Sequence, residues 1–84
     1  MTKLVYFAWV RERIGVPEEE VALPPEIETV HDLLRWLKGR GEEYAFALAH
    51  EDVIRVALDR EHTDHDAKLA GAREVALFPP MTGG

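Results

Sequence analysis

The chain has 84 residues, of which 46% are hydrophobic and 31% are charged. That length predicts a single domain over 1–84, and the composition is typical of a globular protein, so a disordered chain and a fibrous one are both excluded. No apolar run approaches the roughly 18 residues of a membrane-spanning helix, and no basic-then-apolar leader is present. We therefore expect a soluble, cytoplasmic protein with no membrane partner.

Charge and cysteine content narrow the function classes further. Because the sequence has no cysteine, disulfides, zinc–thiolate sites and thiol nucleophiles are excluded together. Ten basic residues against sixteen acidic ones give a net charge of −6, whereas nucleic-acid binding depends mainly on neutralising phosphates. We therefore expect no nucleic-acid partner. The acidity favours either a partner with a basic face or simply a well-solvated surface.

The first half of the chain predicts two strands and two helices. Residues 3–8 are β-branched and aromatic and are apolar on both faces, which indicates a central strand. Residues 9–14 have helical spacing, and Gly15 suits the left-handed residue that often ends a helix. Residues 18–23 predict a short edge strand whose glutamates discourage pairing with other chains. The main helix is predicted over 29–38, where a helix-start signal and the i, i+3, i+4, i+7 spacing coincide: Thr29, Val30, Asp32, Leu33, Leu34 and Leu37.

The second half predicts mainly strands. A short helix is expected at 43–50, and strands are expected at 53–58, 61–63 and 74–78. Asp59-Arg60 is the expected turn between the first two of these strands, while Pro79-Pro80 ends the last because proline cannot continue a ladder. This order of elements predicts an α+β fold, with a mixed sheet covered on one face by one main helix.

Motifs for nucleotide binding and for nucleophilic catalysis are missing. The lysines do not follow a phosphate-loop spacing of glycines, no Gly-x-Gly-x-x-Gly occurs, and the chain contains no serine. His62-Thr63-Asp64-His65-Asp66 could in principle hold a metal, but the spacing matches no established ligand motif, and a polar loop explains it better. We therefore expect no metal site, no bound cofactor and no self-contained active site in so small a domain.

The C-terminal segment, FPPMTGG, is the feature that a plain domain leaves unexplained. Two prolines directly after a core strand predict an extended tail over 79–84, and six residues reach about 20 Å at roughly 3.3 Å each. The final glycines keep this tail flexible and narrow, because they have no side chain. Such a segment suits insertion of an α-carboxylate into a narrow channel of another protein. A frayed terminus is the alternative.

The same segment carries a family resemblance. Residues 77–84 resemble the C-terminus of the small subunits of molybdopterin synthase, a family of ubiquitin-like sulfur carriers. Phe7-Ala8, Val10-Arg11-Glu12 and Gly15 are similar to the N-terminal segment of that family, and Val56-Ala57-Leu58-Asp59 is similar to its middle. The resemblance implies a β-grasp fold, in which the first and last strands are parallel and adjacent in mid-sheet.

The chain departs from the usual family pattern at three places. Asparagine is usual where this chain has Asp59, an apolar residue is usual near His62, and an acidic residue is usual where Ala72 and Arg73 stand. These departures bear on which partner is served more than on whether the C-terminus is activated.

The resemblance also implies a reaction. In this family an ATP-using activating enzyme adenylates the C-terminal glycine, here Gly84, and a persulfide-type sulfur donor then converts it to a thiocarboxylate. The large subunit of molybdopterin synthase receives the tail, and the thiocarboxylate gives its sulfur to a pyranopterin precursor of the molybdenum cofactor. This chain would thus be a non-catalytic, sulfur-donating subunit, and its partner-binding tail residues would be Pro79, Pro80, Met81, Thr82 and Gly83.

Strand periodicity adds an expected docking surface. If the even-numbered residues of 4–8 and the odd-numbered residues of 75–77 face the main helix, Phe7 and Phe78 lie together on the uncovered face. An apolar pair left bare on a monomer predicts a partner contact, unless the loop at 59–73 folds over it.

Other interpretations remain open at this stage. Arg11, which matches an arginine of the family, is expected either to pair with an acidic partner group or to be a plain surface residue. The chain could carry sulfur for thiamin or for thiolated tRNA, or act as a ubiquitin-like modifier, although Pro-Pro-x-Thr before Gly-Gly favours the pterin pathway. A ubiquitin-like interaction domain with a tail that is never activated and a metalloenzyme using His62 and His65 are further alternatives.

Overall fold

The computed structural model describes residues 1–80. The elements in this range are β1 (Thr2–Tyr6), α1 (Ala8–Ile14), β2 (Glu18–Val21), α2 (Val30–Lys38), α3 (Glu42–Ala47), a 3₁₀ turn (Glu51–Val53), β3 (Arg55–Leu58), β4 (Glu61–Thr63) and β5 (Glu74–Phe78). None of the helices in it is long and apolar enough to cross a membrane. Of the predicted tail, Met81, Thr82, Gly83 and Gly84 lie outside the described residues.

The five strands form one mixed sheet in the order β2-β1-β5-β3-β4. β5 is the middle strand, and β1 pairs with it in parallel, from Lys3 opposite Glu74 to Tyr6 opposite Leu77. The other three pairings are antiparallel, and β2 and β4 are the edges. A parallel pair formed by the first and last strands in mid-sheet confirms the expected β-grasp fold.

Helix α2 forms where the sequence predicts it, because start signal and apolar spacing agree. The Thr29 hydroxyl accepts the Asp32 N–H at 3.2 Å, and the Asp32 carboxylate accepts the Thr29 N–H at 3.1 Å, which completes a capping box. The backbone N–H groups of Thr29 and Glu28 both donate hydrogen bonds to this carboxylate. These bonds favour its ionised form and lower the pKa of Asp32. The four apolar residues that follow Thr29 at helical spacing are all buried: Val30, Leu33, Leu34 and Leu37.

The hydrophobic core lies between the helices and one face of the sheet. α2 provides most of the cover, and α1 and α3 add Val10, Ile14 and Ala47 to the same core. The sheet contributes the inward residues of its three inner strands: Leu4, Tyr6, Val56, Val75 and Leu77. Each fully buried Leu or Val side chain stabilises the fold by about 1.5–3 kcal/mol relative to its exposed state. The opposite side of the sheet, called the open face below, has no helix among the described residues.

Strand β1 ends two residues earlier than predicted. Phe7 becomes the N-cap of α1, and its carbonyl oxygen accepts the N–H groups of Val10 and Arg11. Ala8 then adopts a left-handed φ of 52° and is exposed, so the expectation that Ala8 faces the main helix is wrong. At this point the strand stops and α1 begins, so the chain turns away from the sheet. Gly15 ends α1 with φ of 100°, as expected.

The segment at 64–73 lies against the start of α2. Three backbone hydrogen bonds join it to that region: His31 N–H donates to the His65 carbonyl oxygen at 2.8 Å, Val30 N–H donates to the Ala67 carbonyl oxygen at 3.1 Å, and Leu69 N–H donates to the Glu28 carbonyl oxygen at 2.8 Å. The Leu69 side chain is buried in the core. The segment is therefore on the helix side, and it does not fold over the open face as the alternative for loop 59–73 proposed.

Candidate functional site

Phe7 and Phe78 lie together on the open face, as strand periodicity predicts. Their rings meet edge to face, with centroids 6.3 Å apart and planes at 83°, a favourable arrangement for an aromatic pair. Phe7 is 46% exposed and Phe78 is partly buried. An exposed phenyl ring beside a second one on a sheet face is a surface suited to docking.

The position of Phe7 follows from the way β1 ends. The Phe7 N–H donates to the Leu77 carbonyl oxygen at 3.1 Å, which extends the parallel ladder by one residue and keeps Phe7 beside β5. Its φ of −126° and ψ of 153° are those of a strand, so its side chain continues the alternation and points to the open face. The turn at Ala8 then carries the chain away, which leaves the Phe7 ring uncovered.

A third ring, from His62, joins this pair. The centroid of His62 lies 5.1 Å from that of Phe78, with the planes at 79°. We call Phe7, Phe78 and His62 the aromatic row. Sequence reasoning missed His62 in this role, although the register of a two-residue hairpin at Asp59-Arg60 would have placed it opposite Ala57 on the open face.

Two alanines form the floor beside the aromatic row. Ala57 on β3 pairs with both His62 and Ala76, so the three side chains share the open face. Ala57 is only 6% exposed and Ala76 only 7%, although no helix of the described range covers them. Larger neighbours on the same face must therefore shield these methyl groups.

Charges on the open face are separated along the strands. Near the start of β1, Lys3 lies opposite Glu20 of β2 and Glu74 of β5. Its ammonium group forms an ion pair with the Glu18 carboxylate at 3.2 Å. At the other end of the sheet, the exposed Arg55 is the cross-strand partner of Phe78. On the open face, acidic residues therefore lie at the end where β1 starts, and the aromatic row lies with Arg55 at the opposite end. The protein as a whole has a net charge of −6.

The predicted tail leaves the sheet beside the aromatic row. Because β1 and β5 are parallel, Phe7, directly after β1, and Phe78, the last residue of β5, lie at the same end of these two strands. Pro79 and Pro80 follow directly, are partly buried and have no strand hydrogen-bonding pattern, as expected for residues without a backbone N–H. Pro79 and Pro80, where the tail leaves the sheet, therefore lie next to the aromatic row, which is the candidate docking surface.

Arg11 is exposed one helical turn after Phe7. Its backbone carbonyl accepts the N–H of Gly15 at 2.8 Å, so the helix end fixes its main chain. The role of its guanidinium in partner binding stays a prediction.

The polar cluster at 62–66 is divided between two environments. The His62 ring lies on the open face against Phe78, whereas Nε2 of His65 lies 2.7 Å from the carbonyl oxygen of Ile54. Over residues 1–80, no three His, Asp or Glu side chains are grouped as metal ligands. The geometry thus gives the metalloenzyme alternative no support.

Comparisons with known proteins agree with this geometry. The ThiS family model matches residues 4–84. The molybdopterin synthase sulfur carrier subunit of Escherichia coli is 34% identical over 84 residues, covering all of both chains. That of Haemophilus influenzae is 30% identical over the same full lengths. The crystal structure of SAMP1, a small archaeal modifier protein from Haloferax volcanii, superposes with a TM-score of 0.71 at 28% identity, over 99% of this chain and 98% of that one.

The relation to the sulfur carrier subunits of Escherichia coli and Haemophilus influenzae is therefore one of whole chains. This chain belongs to the ThiS family, among the ubiquitin-like sulfur carriers that include the small subunits of molybdopterin synthase.

Proposed function

We propose that this protein is the sulfur carrier subunit of a molybdopterin synthase and that its Gly84 carboxylate carries the sulfur as a thiocarboxylate. The observation that supports this most is the full-length relation to sulfur carrier subunits of molybdopterin synthase in two bacteria. The fold adds a physical reason, because β5 is held by a strand on either side and leads straight into the tail. A carrier of this kind needs a rigid body and a chemically simple end.

The proposed chemistry takes place at the C-terminal carboxyl group. In the activating enzyme, a Gly84 carboxylate oxygen attacks the α-phosphorus of ATP, and pyrophosphate leaves, which gives an acyl-adenylate. With sulfide as the donor, sulfur attacks the acyl carbon, AMP leaves and a thiocarboxylate results. An α-carboxyl group titrates near pH 3.5, so the attacking group is ionised at neutral pH. ATP is consumed by the activating enzyme, and the carrier itself needs no bound cofactor.

The large subunit of molybdopterin synthase is the proposed recipient of this sulfur. Phe7 and Phe78 would dock on it, with Arg11 at the rim, while residues 79–84 enter its active site. There the thiocarboxylate sulfur would pass to a pyranopterin precursor of the molybdenum cofactor. Hydrogen-bond donors that stabilise the developing charge must come from the partner, because the tail of this chain has none besides its backbone and Thr82.

The test is a reconstitution followed by intact-mass analysis. The protein is incubated with an activating enzyme of its family, ATP and sulfide, and the expected result is the mass gain of one oxygen exchanged for sulfur. Two variants serve as comparison, one with Gly84 deleted and one with an added residue after Gly84. Both should fold, as circular dichroism would report, and neither should gain sulfur. A sulfur gain in the extended variant would contradict the proposal.

A second candidate function is that of a ubiquitin-like modifier, which the structural likeness to the archaeal modifier protein favours. It would use the same acyl-adenylate, with a lysine amine of a target in place of sulfide and AMP again leaving. Peptide mass spectrometry of cells expressing the tagged protein distinguishes the two. Gly84 joined to lysine side chains would support the modifier, whereas a thiocarboxylate without such conjugates would support the sulfur carrier alone.

A further inference from the structure

A cleft of about 470 Å³ lies beside α1 and is called the α1 cleft below. Its lining comes from α1, from α3 and from the segment that leads into β3: Trp9, Arg13, Ala47, His50, Asp52 and Val53. Val53 is 40% exposed, and Phe46, which contacts Arg13 from α3, is 60% exposed. The α1 cleft is therefore an open site with apolar side chains around a basic group.

The Arg13 guanidinium is held in place without an acidic partner among residues 1–80. Its Cζ atom lies 4.3 Å from the ring centroid of Trp9 and 4.5 Å from that of Phe46. These cation–π contacts position the guanidinium without consuming its N–H donors. In the described range the ion pairs are formed by other basic residues: Lys3, His31, Lys38 and Arg40. A positioned guanidinium of this kind is suited to binding a carboxylate.

The α1 cleft lies at the end of the sheet where the tail leaves. Two segments flank Phe78, and each continues into one wall of the cleft. Phe7 is hydrogen-bonded to β5, and Trp9 follows it by two residues. Arg55 is the cross-strand partner of Phe78, and Val53 precedes it by two residues. The cleft is thus close to the start of the tail on the chain's own surface.

The tail is long enough to reach Arg13. Arg13 follows Phe7 by six residues, which is about 9 Å along a helix at roughly 1.5 Å per residue. The six residues after Phe78 span up to about 20 Å. Pro79 and Pro80 are partly buried, so the tail begins against the body of the domain. The length of chain after Phe78 therefore allows the C-terminal carboxylate to meet the guanidinium.

We propose that the α1 cleft is a resting site for the tail of the same chain, in which the Gly84 carboxylate pairs with the Arg13 guanidinium. Charge complementarity selects this occupant, because the tail ends in a free carboxylate and Arg13 has no other acidic partner in the described range.

The other tail side chains also match the lining of the α1 cleft. The Met81 thioether suits the Trp9 ring, since sulfur–aromatic contacts are favourable. The Thr82 hydroxyl can donate to Asp52 on the other wall. Asp52 also repels the Gly84 carboxylate, which keeps the resting state weak and reversible.

The consequence for sulfur transfer rests on the proposed function. A thiocarboxylate carries the same single negative charge as a carboxylate, so the α1 cleft would hold the chain end before and after it receives sulfur. The activating enzyme and the large subunit would then bind only chains whose tail has left the cleft. An exposed ion pair shifts an equilibrium by only about two- to fivefold, so this release is easy.

The experiment is NMR spectroscopy of the ¹⁵N-labelled protein without any partner. The full chain is compared with a chain that ends at Pro80, and the observable is the difference in chemical shift at the Trp9 indole N–H. Trp36 on α2, outside the lining of the cleft, is the internal reference. The comparison is repeated in Arg13→Gln and in Arg35→Gln, an exposed arginine of α2 that serves as the matched control. Comparing two chain lengths within each variant cancels the direct effect of the substitution on the Trp9 ring.

The expected result is a shift difference at Trp9 and none at Trp36. This difference should shrink by roughly half in Arg13→Gln, as a two- to fivefold change in the resting equilibrium requires, and it should persist in Arg35→Gln. Conversion of the Gly84 carboxyl group to a carboxamide removes only the charge and should act like Arg13→Gln.

Three outcomes would overturn the inference: no shift difference at Trp9, an unchanged difference in Arg13→Gln, or a difference that grows with protein concentration, which would mean that the tail of a second copy is bound. Each of them leaves the proposed function intact. Failure of the wild type to gain sulfur in the reconstitution would instead overturn the proposed function, while the NMR result would still decide whether the tail rests in the α1 cleft.

Discussion

Tyr6 and Tyr44 donate hydrogen bonds to the same atom, Oε2 of Glu19, each at 2.7 Å. The three residues come from β1, α3 and β2, so one carboxylate ties an edge strand to its neighbour and to a helix. Arg40 approaches the other carboxylate oxygen at 3.7 Å. This network lies on the helix side of the sheet, away from the aromatic row, and it holds the short strand β2 in place.

Removing the Tyr6 hydroxyl is expected to destabilise the fold. Tyr6→Phe keeps the ring in the core but removes one charge-assisted hydrogen bond, which we expect to lower the free energy of unfolding by about 1.5–3 kcal/mol. Tyr44→Phe is the matched control, because it removes a bond to the same oxygen from a more exposed ring, and its effect should be smaller. Urea unfolding followed by tryptophan fluorescence measures both. A larger loss in Tyr44→Phe would contradict this account.

The same tyrosines predict a loss of stability at high pH. Burial, reinforced by the hydrogen bond to Glu19, raises the pKa of Tyr6 well above its usual 10.0 and raises that of Tyr44 to about 12. Because the folded-state pKa values exceed those of the unfolded chain, the unfolded state ionises first. The stabilisation is therefore complete below pH 10. The contribution of Tyr44 is lost as pH rises through about 12, and that of Tyr6 is lost only at still higher pH.

Urea unfolding at stepped pH above 10 checks this expectation. The chain has only these two tyrosines, so the double variant Tyr6→Phe/Tyr44→Phe retains the lysine titrations and loses the tyrosine ones. Its stability should fall less steeply with pH than that of the wild type. Parallel slopes would show that the tyrosines are not the cause.

The turn between β3 and β4 depends on Asp59. Its Oδ1 atom accepts the N–H groups of Arg73 and Glu74, each at 3.0 Å, and its φ of 47° is left-handed. Asp59→Ala removes the acceptor and places alanine in a conformation it disfavours, so we expect a loss of about 1–3 kcal/mol in unfolding free energy. Asp59→Asn keeps an acceptor oxygen and tolerates this φ, so it should stay within about 0.5 kcal/mol of the wild type. Thermal or urea unfolding of the three proteins decides between them.

Much of the fold could be predicted because local signals agreed with the tertiary structure. The capping residues Thr29 and Asp32 and the apolar spacing after them locate α2 correctly, and the two-sided apolar pattern of β1 correctly places it inside the sheet. The turn at Ala8 was not predictable in the same way, since alanine rarely adopts a φ of 52° and the strand pattern continues through it.

The residues of the candidate site could be predicted only where the alternation of side chains along a single strand determines which face of the sheet they occupy. Phe7 directly follows β1 and Phe78 ends β5, and the inward residues of both strands are plainly apolar, so the outward direction of the two rings follows from a period of two. His62 belongs to a strand of three residues with no apolar face, and its contact with Phe78 depends on a neighbour two strands away. Such a contact requires the strand order, which residue patterns alone do not supply.

The last prediction concerns the docking surface itself. Phe7→Ala should weaken binding of the large subunit by about 30-fold, the loss typical of an aromatic hot spot of roughly 2 kcal/mol. It should lower the unfolding free energy by only about 0.8–1.6 kcal/mol, because the ring is 46% exposed in the free protein and loses about half the burial of a core phenylalanine. Phe46→Ala is the matched control, since it removes a 60% exposed ring from α3, outside the aromatic row. Calorimetric titration compares the two, and equal affinity losses would place the interface elsewhere.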